Sequence, residues 1–258
     1  MSQIAVFHGI EHKAGCTMVA QSAAELIAKE KKGLTVLFAA LNGRLSTEYM
    51  SDGAVSVDEF KVRLKSGIGI DRNALSRNRR IDNLYMLAGI DKEEEARHFL
   101  PEMADVLMQS LCDRFDVIVI DSGCDIDNGL AYGALRMKGV KYLVVEQAES
   151  SVRRCERMKG IHEGLSIGFN KYVLSKHLES DPITANYLSS RLGIDKAMLL
   201  VAAHSANGRV SELERRTLLE TGDERFRRDM LRIANDIMRA IGMEDISIKR
   251  RRAWNSFI

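Results

Sequence analysis

The segment Gly9-Ile10-Glu11-His12-Lys13-Ala14-Gly15-Cys16-Thr17 joins a short apolar run, Ile4 to His8, to a stretch with helical spacing. A turn of this kind delivers the chain to a helix N-terminus. There the backbone N–H groups lack partners and carry a partial positive charge, which suits phosphate. A phosphate-cradling loop reads Gly-x-x-x-x-Gly-Lys-Ser/Thr. Gly15 and Thr17 fall at the last glycine and at the hydroxyl position, but Cys16 stands where the lysine belongs and Ile10 where the first glycine belongs. Alone, a glycine and an N-capping threonine are what any strand-to-helix turn can carry. A second feature strengthens the reading. Phe115-Asp116-Val117-Ile118-Val119-Ile120-Asp121 is the clearest strand in the chain, ending in an acid that can hold magnesium through water. Ser122-Gly123 then make a polar turn at the carboxyl end of that strand, where ligands bind in parallel sheets. The other reading of Asp121 is a helix or turn cap. The candidate nucleotide contacts are therefore Lys13, Ala14, Gly15, Cys16, Thr17 and Met18, mostly through backbone N–H groups, together with Asp121. Thr17 and Asp121 are the candidate magnesium ligands.

Such residues need a sheet to bring them together. Thr17 to Lys29 has helical spacing through Val19, Ala20, Ala23, Ala24 and Ile27, and Thr35 to Leu41 is the next apolar run. Strand, loop, helix and strand within about 40 residues form a βαβ unit. Val57 to Leu64 reads as helical, Leu84 to Leu87 as a strand, and Glu93 to Leu111 as one helix. Further strands are expected at Lys141 to Glu146, Lys171 to Leu174 and Met198 to Val201. Runs apolar on both faces suit the interior of a parallel sheet. The expectation is an α/β fold: a doubly wound, mostly parallel sheet of about seven strands with helices on both faces. Residues 1–245 form the domain and 246–258 a basic amphipathic tail.

Composition narrows the classes. The 258 residues allow one large domain, and a net charge of +2 is too small to imply a partner by itself. The cysteines, Cys16, Cys112, Cys124 and Cys155, form no Cys-x-x-Cys pair and fit buried free thiols in a reducing compartment. His8 and His12 flank Gly9 without a third metal ligand nearby in sequence. Cys16 sits at a helix N-terminus, where a thiol pKa tends to fall. The chain opens on a strand-like run rather than a signal peptide, and no run of 18 apolar residues occurs. The expected location is cytoplasmic, with peripheral attachment to the inner face of the membrane open to it.

With the loop, the second strand and the Asp121 strand placed, the sequence resembles the MinD/ParA family of deviant Walker A ATPases, including the TadZ-like pilus-localisation branch. The resemblance covers residues 3 to 240 and is strongest at Ala5 to Ala28, Thr35 to Ser46 and Phe115 to Ser151. Glu146-Gln147-Ala148-Glu149-Ser150-Ser151 is similar to the family's Thr-x-Pro-Glu stretch. Val201 to His204, followed by Val210-Ser211-Glu212, looks like the late segment that flanks the base. The resemblance implies ATP or ADP with magnesium, a homodimer, and a protein partner in a positioning or secretion/pilus system.

The departures are as specific as the matches. The family loop, Lys-Gly-Gly-x-Gly-Lys-Thr-Thr, laid on this chain without gaps puts its signature lysine on Glu11, its two glycines on His12 and Lys13, and its Walker lysine on Cys16. A gapped placement would give Lys13 the signature role. A charge beside phosphate is worth on the order of a few kcal/mol at an effective dielectric near 20. The Asp-x-Asp that ends the family's second strand falls on Ala40 and Asn42, neither a general base nor a strong magnesium ligand. The family's purine-reading Asn maps near Ser175, and its base-packing Pro on Ala202 or Ala203. These losses describe a pseudo-ATPase, with room for a Mg-nucleotide held at reduced affinity.

Two charge features remain. The chain ends Lys249-Arg250-Arg251-Arg252-Ala253-Trp254-Asn255-Ser256-Phe257-Ile258. If helical, Trp254, Phe257 and Ile258 share one face behind the cations Arg250 and Arg251, the composition of an interfacial membrane anchor. MinD-like proteins end in a comparable segment. The other reading is a solvated tail or one docked on its own domain. Arg72, Arg77, Arg79 and Arg80 make a second cluster, a solvated basic face or, as in ParA-like proteins, a nonspecific DNA contact. Three functions follow: a positioning factor without hydrolysis, a weak ATPase cycling between monomer and dimer, and a DNA-associated partition protein.

Overall fold

The computed structural model describes residues 3–44 and 54–247. Its strands are β1 (Ile4–Gly9), β2 (Val36–Ala40), β3 (Ser76–Arg77), β4 (Leu84–Leu87), β5 (Val117–Asp121), β6 (Val140–Glu146), β7 (Lys171–His177) and β8 (Leu199–Ala203). They form one eight-stranded sheet in the order β3-β4-β2-β5-β1-β6-β7-β8. Every pairing is parallel except β3 with β4. Seven strands match the sequence expectation. The eighth, β3, is a two-residue antiparallel edge piece too short to leave a periodic signal.

The helices are α1 (Cys16–Glu30), α2 (Lys61–Lys65), α3 (Pro101–Leu111), α4 (Gly129–Arg136), α5 (Glu149–Gly164), α6 (Ala185–Leu192), α7 (Gly208–Leu213) and α8 (Glu224–Ala240). Alternate strand residues feed opposite faces. Phe7, Phe38, Val117 and Val119 pack under α1 and α8, while Val6, Leu37, Ile118 and Ile120 pack under α3 and α4. Leu143, Val145 and Leu174 meet Val152, Cys155 and Leu188 of α5 and α6. Alanines at 20, 23, 24 and 28 keep α1 slim enough to lie close on the sheet. In α8 the buried Phe226, Met230, Ile233, Ala234 and Ile237 follow the helical repeat, and the Asp223 side chain caps the helix by accepting from Phe226 N at 3.0 Å. Among the described residues no helix is long and apolar enough to cross a membrane.

One expectation needs correction. Residues 93–111 are not a single helix: Glu93–His98 is a short 3-10 turn, and α3 begins at Pro101. Proline has no N–H to donate and forces the preceding residue out of the helical region. Leu100 is accordingly extended, at φ −94° and ψ 154°. Proline suits the first helical position, so it starts the helix that it could not continue.

The Arg72–Arg80 cluster is drawn into the edge of the sheet. The Arg72 and Arg77 guanidiniums lie 5.3 and 5.2 Å from the Tyr85 ring centroid, Arg77 donates to the Tyr85 hydroxyl at 2.7 Å, and Arg80 pairs with Glu220. Cations beside an edge strand also discourage pairing with a second sheet.

The contact between α1 and α8 closes one face of the core. Ile233→Ala is expected to lower stability by about 2–5 kcal/mol, read as a shifted denaturation midpoint with an unchanged slope.

Candidate functional site

The carboxyl ends of β1, β2 and β5 lie side by side, with Asp121 opposite both Phe7 and Ala40. The loop from Ile10 to Gly15 leaves β1 here and turns into α1. Ile10 N donates to Val144 O at 2.9 Å, and Gly9 N donates to Gly123 O at 2.7 Å. Two residues take left-handed backbone, Lys13 at φ 63° and Gly15 at φ 85°. The family loop laid without gaps has glycine at both positions, so the backbone favours that placement. A lysine there bears roughly 1–2 kcal/mol of strain that glycine would not.

Gly15 is the N-cap of α1 and offers no side-chain acceptor. The first-turn N–H groups of Cys16, Thr17 and Met18 therefore have neither an intrahelical carbonyl nor a capping oxygen. Ala14 differs from its expected role, because its N–H turns back onto Glu11 O at 3.3 Å. A cleft of about 1040 Å³ opens over this turn. Its walls include Lys13 to Val19 on one side and Ala202 to Ala206 on the other, with Glu146, Ser175 and Lys176 between.

Asp121 is fully buried. Its Oδ2 accepts from Thr17 Oγ1 at 2.6 Å and from Asn42 Nδ2 at 3.0 Å. Its Oδ1 accepts from Cys16 Sγ at 3.2 Å and from Gly123 N at 3.0 Å. The Asn42 amide is oriented by its other end, since Oδ1 accepts from Arg44 N at 3.1 Å. The Cys16 thiol does not follow the expectation for a helix N-terminus. Burial, then the neighbouring Asp121, push its pKa well above the ordinary thiol value, so it is a protonated donor and not a nucleophile.

Glu11 does not face the loop's centre. Its carboxylate accepts from the Ser151 hydroxyl in the first turn of α5. A carboxylate is favoured beside a helix N-terminus. Glu11 thus acts as a clasp between the loop and α5. Arg154, in the second turn of α5, adds a bond from Nε to Ile10 O at 2.7 Å. The Ser175 hydroxyl donates to Ala14 O at 2.5 Å, which commits it to the loop backbone and away from base reading.

The structure brings Lys13, Ala14, Gly15, Cys16, Thr17, Met18 and Asp121 into one site. The membrane candidates Arg250, Arg251, Trp254, Phe257 and Ile258 lie outside the described residues. Sequence reasoning passed over Arg44, Arg154, Lys176 and Arg209. Arg44, Lys176 and Arg209 reach the cleft, Arg44 paired with Asp125 at 2.9 Å and Lys176 with Glu146 at 2.8 Å. The signal available was position: Arg44 follows the carboxyl end of β2, and Lys176 lies in the last two residues of β7. His8 and His12 are separated. His8 is buried with Nδ1 3.1 Å from Ser122 Oγ, while His12 is exposed beside Arg44. Among the described residues no group of His, Cys, Asp or Glu could hold a metal ion as a cluster.

The chain superposes on solved structures over nearly its whole length. A ParA family ATPase from Chlorobium tepidum TLS matches with a TM-score of 0.76 at 14% identity, covering 90% of this chain and 97% of that one. The chain has the fold of the MinD/ParA P-loop ATPases. The septum site-determining protein MinD of Pyrococcus horikoshii OT3, complexed with Mg-ADP, matches at 0.70 and 16% identity, covering 94% and 98%. The MinC:MinD complex of Aquifex aeolicus gives 0.69 and 16%, covering 96% and 99%. No protein-family model matches the sequence, and no curated relative matches it by sequence.

His8 supplies a test of the packing under the loop. Burial, then His162, lower its pKa from 6.5 to about 3. The folded protein keeps it neutral where the unfolded chain binds a proton. Stability is therefore lost as pH falls from 6.5 towards 3, by up to about 1.4 kcal/mol per pH unit. His8→Gln is expected to flatten the pH dependence of denaturant stability by one proton in that window.

Proposed function

We propose that the chain is a degenerate MinD/ParA-like nucleotide-binding domain that acts as a positioning or assembly factor, with hydrolysis absent or very slow. The observation that carries this reading is the end of β2 beside the loop. Ala40 and Asn42 occupy the two aspartate positions, and Cys16 occupies the lysine position. Attack of water on a γ-phosphate needs a group that orients the water and cations that spread the transition-state charge. A fully buried alanine and an amide engaged by Asp121 and by the Arg44 backbone supply neither. The turn into α1 keeps its phosphate-accepting shape, so ATP or ADP would serve as a ligand rather than as a fuel.

By analogy with the MinD that is complexed with MinC, a homodimer and a protein partner of a positioning or secretion/pilus system follow from this reading. The basic, aromatic tail at 246–258 would add peripheral attachment to an anionic membrane surface. A second reading, a weak ATPase cycling between monomer and dimer, has one observation in its favour: Lys13 is exposed on the wall of the cleft. The DNA-binding reading is weakened by the engagement of Arg72, Arg77 and Arg80 with Tyr85 and Glu220.

Steady-state phosphate release from ATP is expected to be no faster than in an Asp121→Ala control. Magnesium-dependent release that disappears in that control would overturn the non-hydrolytic reading. Separately, the chain is expected to sediment with vesicles containing anionic lipid and to lose this on deletion of residues 249–258. Unchanged sedimentation after the deletion would end the tail's anchoring role.

A further inference from the structure

We infer that this site takes its phosphorylated ligand without magnesium, because the carboxylate that would face the metal has become a closed structural hub. The inference rests on the nucleotide-binding reading above.

An ionised carboxylate offers about four lone-pair sites. Asp121 has all four used, by Thr17 and Asn42 on Oδ2 and by Cys16 and Gly123 on Oδ1. Magnesium demands near-octahedral geometry and keeps several of its waters. A carboxylate that holds such an ion through water must accept from those waters. At Asp121 that would require displacing donors that belong to the chain, of which Cys16 and Asn42 are buried and Thr17 and Gly123 half-buried.

Three of these donors, Asn42, Gly123 and Cys16, are held in place by their surroundings. Rotating the Asn42 amide away from Asp121 would also break its bond from Arg44 N. Gly123 packs closely on Asn42, since a Cβ at position 123 would meet the Asn42 Cβ at 2.6 Å. The Gly123 N–H is fixed by the left-handed turn, φ 63°, that follows β5. The Cys16 side chain is buried, with its Sγ donating to Asp121 Oδ1 at 3.2 Å.

Asn42 and Cys16 stand where the resemblance puts an aspartate and a lysine. The exchange leaves the net charge beside Asp121 unchanged but puts two neutral donors on the same carboxylate. The charge of an incoming phosphate is then met by the uncapped first turn of α1 and by Lys13, whose ammonium has no hydrogen bond or ion pair among the described residues. The ligand class is a nucleotide or another phosphate ester in metal-free form.

The test is calorimetric titration of the full chain with ATP, once in excess EDTA and once in magnesium. Binding at least as tight in EDTA as in magnesium is the expected result. Binding about tenfold or more tighter in magnesium would overturn the metal-free inference and leave the nucleotide reading standing. Binding in neither buffer would overturn both. The melting temperature of the wild-type chain without nucleotide is expected to be the same in EDTA and in magnesium. Asn42→Asp is expected to melt lower in EDTA and to recover in magnesium. A magnesium-dependent rise in the wild type would count against the inference even if the variant fails to fold.

Discussion

A carboxylate with no exposed surface stands where three strand ends meet. Removing such a charge from water costs several kcal/mol unless nearby donors replace the lost hydration. That requirement organises the region around Asp121. Thr17 and Cys16 come from the first turn of α1, Asn42 from just beyond β2, and Gly123 from the turn after β5. Each donor ties one element to the carboxylate, so their mutual positions are set together. The loop, the helix it starts and the neighbouring strands are held by one anion's need for partners.

The loop is fastened from outside as well. Glu11 reaches Ser151, Arg154 reaches Ile10 O, and Ser175 reaches Ala14 O. Each of these groups is engaged by another part of the chain. The left-handed backbone at Lys13 is tolerated because the surrounding bonds over-determine it. Lower in the same helix, Glu25 is buried between Gln21 and Thr217, and burial raises its pKa to about 7. The α1 helix is thus tied to other parts of the chain through carboxylates, Asp121 at its first turn and Glu25 past its middle.

Most of the fold was legible because its signals are local. The β-branched run Val117 to Ile120 reads as a buried strand wherever it occurs, and the alanine spacing of α1 reads as a helix packed on a sheet. The break before Pro101 was equally local, and reading 93–111 as one helix overlooked it. The identities of the missing residues, Cys16, Ala40 and Asn42, were visible in the sequence. Their compensation was not. That Cys16 and Asn42 donate to the same carboxylate depends on strand order, and β2, β5 and β1 are adjacent only after folding. The same holds for Arg44, Lys176 and Arg209, which reach one cleft from three distant segments. Sequence separation hid the site's partners, although their chemistry was plain.

The amide of Asn42 turns one face to Arg44 N and the other to Asp121, and Cys16 donates to the other oxygen of the same carboxylate. Positions 16 and 42 are therefore coupled. A lysine at 16 or an aspartate at 42, introduced alone, would change the net charge beside Asp121, whereas both together would leave it as it is. The cost of either substitution depends on the residue at the other position.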